Sequence, residues 1–305
     1  MKTQAHGRSF VHAVDTILGD RDDESSMVAS KQTIPELLEK HEFHGSTDGL
    51  ILLRLARKLL GPSFDSNAAS AKVDDMMSEM FNFVSKCGDE EIAQGIAPLP
   101  GVLDTLDTLA LEYTTGGADY GNTVACGLVT GNVEGIARRK MQALGIHGTN
   151  AFTPLSKPQG GRVWDGVEDI RFLGGFGSDY CSACIDNPER NYLDRGEQIA
   201  ICVQRCLALS KENQASSTQH TALDKVIHVG DAPADILAAK SYVDHPAKPP
   251  GLCVSVVGVA TGSYSVEELM DLCGERVPGV WEPVVLGQGQ GVGDEQVFLR
   301  ACGLI

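Results

Sequence analysis

From Pro98 onward the chain repeats one pattern: a short run of Val, Ile and other apolar residues, then a stretch whose apolar positions fall three and four apart. The runs are TVACGLV (123–129), KVIHV (225–229), LCVSVVGVA (252–260) and a weaker PVVL (283–286), with helices expected near 133–144, 195–210, 233–242 and 265–272. Near-continuous apolar runs mark strands covered on both faces, and strands that alternate with helices build a parallel sheet. The expected fold class is therefore α/β, a doubly wound, Rossmann-like parallel sheet. Residues 8–95 read differently. IPELLEKHEFHG, DGLILLRLARKLLG and KVDDMMSEMFNFVSK carry helical periodicity and no strand, and PLPGVLDTLDTLA then supplies a Pro-Gly turn into a helix. This divides the chain into a helical region, 1–96, and an α/β region, 97–305. Polar segments at 156–169, 178–192, 211–222 and 244–250 read as loops or insertions.

Composition narrows the function classes. A net charge of −16 with no basic stripe argues against a general nucleic-acid surface, which needs clustered Lys and Arg against phosphates. No apolar run approaches the roughly 18 residues of a spanning helix, and the start MKTQAHGRSF lacks the apolar core of a signal peptide. A soluble, intracellular protein, cytoplasmic by default, is the expectation. Its nine cysteines, an odd number without a secretory signal, are expected as reduced thiols.

In a doubly wound sheet, ligands bind beyond the carboxyl ends of the strands, and two such ends carry polar groups. In GLVTGNVEGIARRKMQALGI a strand is followed by Thr130, Gly131 and Asn132 at the start of a helix. A hydroxyl, a close-approach glycine and an amide at a helix N-terminus suit a phosphate, although Thr130 and Asn132 also serve as ordinary caps. In VIHVGDAPADILAAKS, Asp231 follows a strand directly and Asp235 comes one helical turn later. Such a carboxylate pair offers hard oxygen ligands to Mg²⁺, which takes one or two carboxylates plus water and phosphate oxygens. Either acid alone also suits a helix start, and Pro233 fits the first turn.

Thr130-Gly131-Asn132 after one strand, and Gly230-Asp231 with Asp235 after a later one, resemble the second and fourth motifs of the haloacid dehalogenase superfamily, in its phosphoglycolate-phosphatase-like branch. HGSTDGLILLRLA resembles the helical cap of that branch, PLPGVLDTLDTLA its re-entry to the core, and VVGVATGSYSVEEL the strand and loop after the acidic motif. The resemblance implies a Mg²⁺-dependent phosphatase acting on a small phosphorylated metabolite through an aspartyl-phosphate. Thr130 and Gly131 would bind phosphate, Asn132 would help to position it, and Asp231 with Asp235 would hold the metal. The basic partner would begin the helix before the acidic strand, where Arg195 is the first choice and Arg190 the second; Lys140, also basic, sits two turns into the helix after Asn132.

The family's first motif, a strand ending in D-x-D, has no counterpart in this sequence. In FVHAVDTILGD, Asp15 is the nearest candidate, yet Ile17 stands where the second acid belongs, and Phe10, Val14 and Ile17 have helical spacing. By the resemblance, the missing strand belongs between the one ending at Thr130 and the one ending at Asp231. Its absence would leave two unpaired inner edges. The chain as given is then expected to be inactive, either as part of a longer protein or as a noncatalytic relative that binds a phosphorylated ligand or a protein partner. Weaker readings are a zinc site at Cys181, Cys184, Cys202 and Cys206, and a dinucleotide site in GQGQGVG (287–293), which reads better as a flexible tail. His44, Thr47 and Asp48 fall near the expected cap–core face, either as ligand contacts or as helix caps.

Overall fold

The structure, a computed structural model, describes residues 4–19, 45–61, 64–114, 124–146, 151–153, 155, 173–214, 223–287 and 290–305. It is mixed α/β, with helices in the described part of the N-terminal third and parallel strands after it. None of its described helices is long and apolar enough to cross a membrane.

Helices α1 (Gln4–Leu18), α2 (Asp48–Leu60), α3 (Ser66–Ala71), α4 (Val73–Val84) and α5 (Asp89–Ala93) make up the N-terminal region. On α1 the buried positions are Ala5, His6, Ser9, Phe10, Ala13 and Val14, a stripe at helical spacing. This places Asp15 within a helix and not at a strand end. Thr47 caps α2, its hydroxyl accepting from Leu50 N at 3.2 Å. The stripes of α1, α2 and α4 meet in one cluster around Phe10, Leu53, Met76, Met80 and Phe81. Val133 and Ile136, which follow the first strand of the α/β region, belong to that same cluster.

Helix α6 (Val102–Thr108) runs into a π-helical turn, Leu109–Thr114. Then follow β1 (Leu128–Thr130), α7 (Glu134–Ala143), β2 (Gly174–Phe176), α8 (Arg190–Gln214), β3 (Lys225–Gly230), α9 (Pro233–Val243), β4 (Cys253–Val259), α10 (Val266–Cys273), β5 (Trp281–Leu286) and α11 (Glu295–Cys302). Among the described residues all strand pairs are parallel and form two sheets, one of two strands and one of three. β1 pairs with β2 in register Thr130 to Phe176, while β4 pairs with β3 (Gly230 to Gly258) and with β5 (Val259 to Leu286). In β4 alternate residues serve opposite layers: Val254 and Val256 pack with Ile199, Val203, Ile236 and Tyr242 from α8 and α9. Val257 and Val259 pack with Leu109, Tyr113, Phe298 and Leu299 on the other face. Helical layers on both faces explain why β4 is buried at every position.

Two sequence expectations change, and one strand is new. The helix expected from 195 begins at Arg190, so the loop expected over 178–192 ends there. The short strand β2 had no apolar run to announce it, since two of its three residues are glycines. The glycine-rich stretch is not a tail: α11 follows it and buries Phe298, Leu299 and Cys302. Gly293 lies so close to Pro100 and Gly101 that a Cβ at 293 would overlap the Pro100 carbonyl. The loop expectations at 156–169 and His44 lie outside the described residues.

Close backbone contact also sets the seat of α8, because a Cβ at Gly175 would overlap the Gln198 carbonyl. Gly175→Ala should destabilise the fold by about 1 to 3 kcal/mol through overpacking. Gly7, inside α1, has nothing within 4 Å of the place a Cβ would take. Gly7→Ala should therefore stabilise by about 0.5 to 1 kcal/mol through helix propensity. Urea denaturation of both variants checks the pair, and equal midpoints would contradict the packing described.

Candidate functional site

The β1 carboxyl end presents the first sequence-predicted group. Thr130 Oγ1 accepts from Asn132 N at 3.3 Å, and α7 starts one residue after Val133, which supplies no side-chain cap. The cap comes from another helix instead. Asp48, at the head of α2, accepts from Val133 N at 2.9 Å (Oδ2) and from Asn132 Nδ2 at 3.4 Å (Oδ1). The next free N–H, on Glu134, goes to Ser178 Oγ at 3.1 Å. The positive end of α7 thus already holds an anion, the Asp48 carboxylate.

Asp48 is 1 % exposed, and so is His6, whose Nε2 lies 3.1 Å from Asp48 Oδ2. Lys140 Nζ sits 3.0 Å from His6 Nδ1 and donates to Asn132 Oδ1 at 2.7 Å. An ammonium only donates, so His6 Nδ1 accepts and its proton sits on Nε2, aimed at Asp48. Burial pushes the Asp48 pKa up, but the charges and hydrogen bonds of His6, Lys140 and Val133 N outweigh it and hold it below the ordinary value. Lys140, the further basic residue weighed from sequence, is therefore buried inside this cluster, where it orients Asn132. Asp48 proves to be a cap, though of α7 and not of its own helix.

The β3 end carries the second group. Gly230 has room only for hydrogen, since a Cβ there would collide with the Asp235 side chain. Asp235 folds back under the strand end, its Oδ2 accepting from Ala232 N at 3.3 Å. Its Oδ1 lies 3.4 Å from Arg195 Nη1 and 3.6 Å from His228 Nε2, the latter too long for a hydrogen bond. Burial raises the Asp235 pKa, yet His228, Arg195 and Ala232 N together bring it down to about 2. Asp231, by contrast, is exposed, with Oδ2 2.6 Å from where a Cβ on Gly262 would lie. Glycine at 262 thus makes room for this carboxylate.

The sequence-predicted residues are brought to two neighbouring strand ends. Residues 45–47 join them: a Cβ at Gly131 would lie 2.7 Å from Ser46 O, and one at Gly45 2.9 Å from Ala234 Cβ. Arg195 reaches the β3 end through Asp235, whereas Arg190 begins α8, its N–H donating to Asn187 O. Of the two acids expected as metal ligands, only Asp231 keeps its carboxylate open, where Mg²⁺ typically takes one or two. Asp235 has both oxygens engaged, and among the described residues no group of three or more His, Cys, Asp or Glu is placed to hold a metal. Cys202 lies under Gly127, ahead of β1, on the helix it helps to pack. His6 and Lys140 carried one legible signal in the sequence: each is a basic residue on the apolar face of its helix.

Asp48→Ala should cost about 3 to 5 kcal/mol, because it leaves Lys140 and the α7 N-terminus buried without their anion. Both Asp48 and Asp235 have folded pKa values below their unfolded ones, so their stabilisation is complete above about pH 4 and fades as the pH falls through the folded values. For Asp235, a fall from 3.8 to about 2 corresponds to about 2 to 3 kcal/mol. Asp235→Asn should flatten the loss of stability between about pH 4 and pH 2, read by urea denaturation across that range; an unchanged slope would refute the depressed pKa. The chain matches no protein-family model and no curated protein.

Proposed function

We propose that the chain belongs to the Mg²⁺-dependent, phosphatase-type hydrolases of haloacid dehalogenase type, on a doubly wound sheet under a helical cap, and that it binds a small phosphorylated metabolite at the ends of β1 and β3. The observation that carries this reading is the placement of Thr130, Asp231 and the Arg195–Asp235 pair at adjacent carboxyl ends of parallel strands. Thr130 would donate its hydroxyl to a phosphate oxygen. Arg195, whose Nε is buried without a hydrogen-bond partner, would neutralise the anion. Asn132, gripped by Lys140 and Asp48, would position the turn around Gly131. Asp231 would hold Mg²⁺, which when bound draws charge from the phosphoryl oxygens.

No carboxylate at these two strand ends is free to act as nucleophile: Asp231 has the metal role, and Asp235 and Asp48 are tied up as described. The 305-residue chain should therefore bind small phosphate monoesters in the presence of Mg²⁺ without hydrolysing them. A noncatalytic protein that binds a phosphorylated ligand or a protein partner is the second reading, favoured by the engagement of Asp235 and Asp48, which leaves no second carboxylate open at these strand ends among the described residues.

Calorimetric titration with a panel of phosphate monoesters, beside a phosphate-release assay, tests this. Arg195→Met should weaken binding about 10- to 100-fold, the worth of a charge-assisted hydrogen bond. Absence of binding across the panel would overturn the proposal. Phosphate release by the wild-type chain would show that the nucleophile has been misjudged.

A further inference from the structure

The loop between β2 and α8 carries Cys181-Ser182-Ala183-Cys184, a C-x-x-C pair outside the site at the strand ends. A structural zinc needs further ligands, but Cys202 and Cys206 lie on α8. Among the described residues no third His, Cys, Asp or Glu joins the pair to hold a metal. Both thiols are half-buried, and neither is in a disulfide. Cys181 packs against α2, where a Cβ on Gly49 would lie 3.2 Å from its Sγ. Arg54 of α2 also grips the loop, its Nε donating to Ile185 O at 3.2 Å. Ala183, between the two cysteines, has φ 56°, the one positive φ outside glycine among the described residues. That left-handed conformation is strained for a residue with a Cβ, so the contacts on either side must hold the turn in place.

A buried acid lies beneath this turn. Asp194, one turn into α8 and 0 % exposed, accepts at Oδ2 from Ser182 N (3.2 Å) and from Ser182 Oγ (3.1 Å). Its other oxygen, Oδ1, is buried without a hydrogen-bond partner among the described residues. A buried carboxylate satisfied on one side only is costly as an anion. Burial accordingly raises the Asp194 pKa, against the Ser182 donors and the Arg190 charge, so this acid takes up a proton more readily than an exposed one. Cys181 lies within reach of its charge. Burial pushes the Cys181 thiol up and Asp194 adds to the rise, while Ala183 N and the Thr47 hydroxyl favour the thiolate.

We propose that Cys181 and Cys184 form a second reactive site, a dithiol that closes to a disulfide on meeting a small hydroperoxide, with Asp194 as the base for the Cys181 thiol. Cys181, pressed on Gly49 and close to Asp194, is the resolving thiol, and Cys184 attacks. The Cys184 thiolate bonds to one oxygen of hydrogen peroxide and the O–O bond breaks. The other oxygen leaves as water with the proton that the thiol had lost, and Cys184 is left as sulfenic acid. Cys181 then gives its proton to Asp194 while its sulfur bonds to the Cys184 sulfur. The departing hydroxide takes that proton back from Asp194 as a second water. In sum, two S–H bonds and one O–O bond are replaced by one S–S and two O–H bonds, and two electrons pass from sulfur to peroxide. Other cysteines compete poorly, because the thiolate is the reactive form. Burial pushes Cys126 up to about 11, and Cys202 and Cys302 up to about 12. The dithiol stands whether or not the strand ends handle phosphate.

The test treats the reduced 305-residue chain with hydrogen peroxide, then alkylates the remaining thiols. Cleavage at Arg171 and Arg190 leaves both cysteines in one peptide, residues 172–190, so mass spectrometry reads the closure directly. That peptide should be lighter by two hydrogens and carry no alkyl group, while Cys202 and Cys206 are alkylated. Cys181→Ser should stop the reaction at a Cys184 sulfenic acid, trapped by dimedone, whereas Cys184→Ser should leave Cys181 untrapped. Asp194→Asn keeps the side-chain shape and an oxygen for Ser182. It should slow disulfide closure by about tenfold or more and leave sulfenic acid formation unchanged when combined with Cys181→Ser, a split that a merely structural role would not produce. Failure of the peptide to oxidise, a disulfide that uses another cysteine, or trapping at Cys181 in the Cys184→Ser chain would overturn the proposal. So would an unchanged closing rate in Asp194→Asn. Because no outcome is read from phosphate chemistry, these results leave the proposed activity to its own assay.

Discussion

The buried carboxylate of Asp48 is the point on which the two regions of the molecule are joined. Burying an ion costs several kcal/mol unless its lone pairs are met by donors and its charge by a partner. Here the donors come from three elements: His6 on α1, Val133 N at the head of α7, and the Asn132 amide on the turn after β1. Lys140 supplies the balancing charge one step away and is itself divided between His6 and Asn132. None of these bonds is local to α2. Packing alone gives α1, α2 and α4 a common core, but it is the polar cluster that fixes that core in rotation against β1, since Asp48 N also donates to Gly131 O at 2.7 Å.

Legibility in the sequence followed the range of the interaction. The strands β3, β4 and β5 and the helices α7, α9 and α10 were readable because apolar periodicity is a local property. Thr130 to Asn132 and Asp231 were readable for a similar reason, being polar residues set where an apolar run meets a helix. β2 was not, since Gly174 and Gly175 carry no side-chain pattern: Gly175 makes room for the Gln198 carbonyl of α8, and Gly174 for Leu128 O and the Phe176 ring. Asp235 was half readable: its place one turn into α9 suggested a metal ligand, while its actual engagement with Ala232 N, Arg195 and His228 depends on groups from two other elements. Gly230 was the available clue, because a glycine directly before Asp231 lets the second acid fold inward. The roles of His6 and Lys140 require contacts across more than 130 residues of sequence, and no spacing rule reaches that far.

Where the sequence pattern placed a sheet, the structure has two sheets held at one level by shared helical layers. α8 is the element that spans them. Its Gln198 carbonyl lies against Gly175 of β2, Cys202 lies under Gly127, and Ile199 and Val203 pack toward α9 and β4. Arg205 adds a second hold on β2, donating to Gly174 O at 2.7 Å and to both oxygens of Asp179. A helix of 25 residues, anchored on both sides, keeps β1 and β3 aligned although no backbone hydrogen bond joins them.

That division of labour limits what the strand ends can do. The N–H groups of α7 and both oxygens of Asp235 are already satisfied inside the protein, so a ligand must be met by what remains: the Thr130 hydroxyl, the exposed Asp231 carboxylate and the unused Nε of Arg195. The three come from different elements, and each is fixed by neighbours that do not themselves bind. Asn132 N holds the Thr130 oxygen, Asp235 holds the guanidinium, and Gly262 leaves space at Asp231. Groups fixed in this way lose little freedom when a ligand binds. The same fixing makes the site depend on the distance between β1 and β3, because Thr130 rides on one and Asp231 on the other. Whatever sets that distance therefore sets how the hydroxyl and the carboxylate are spaced, and residues 45–47 bridge it at one end only.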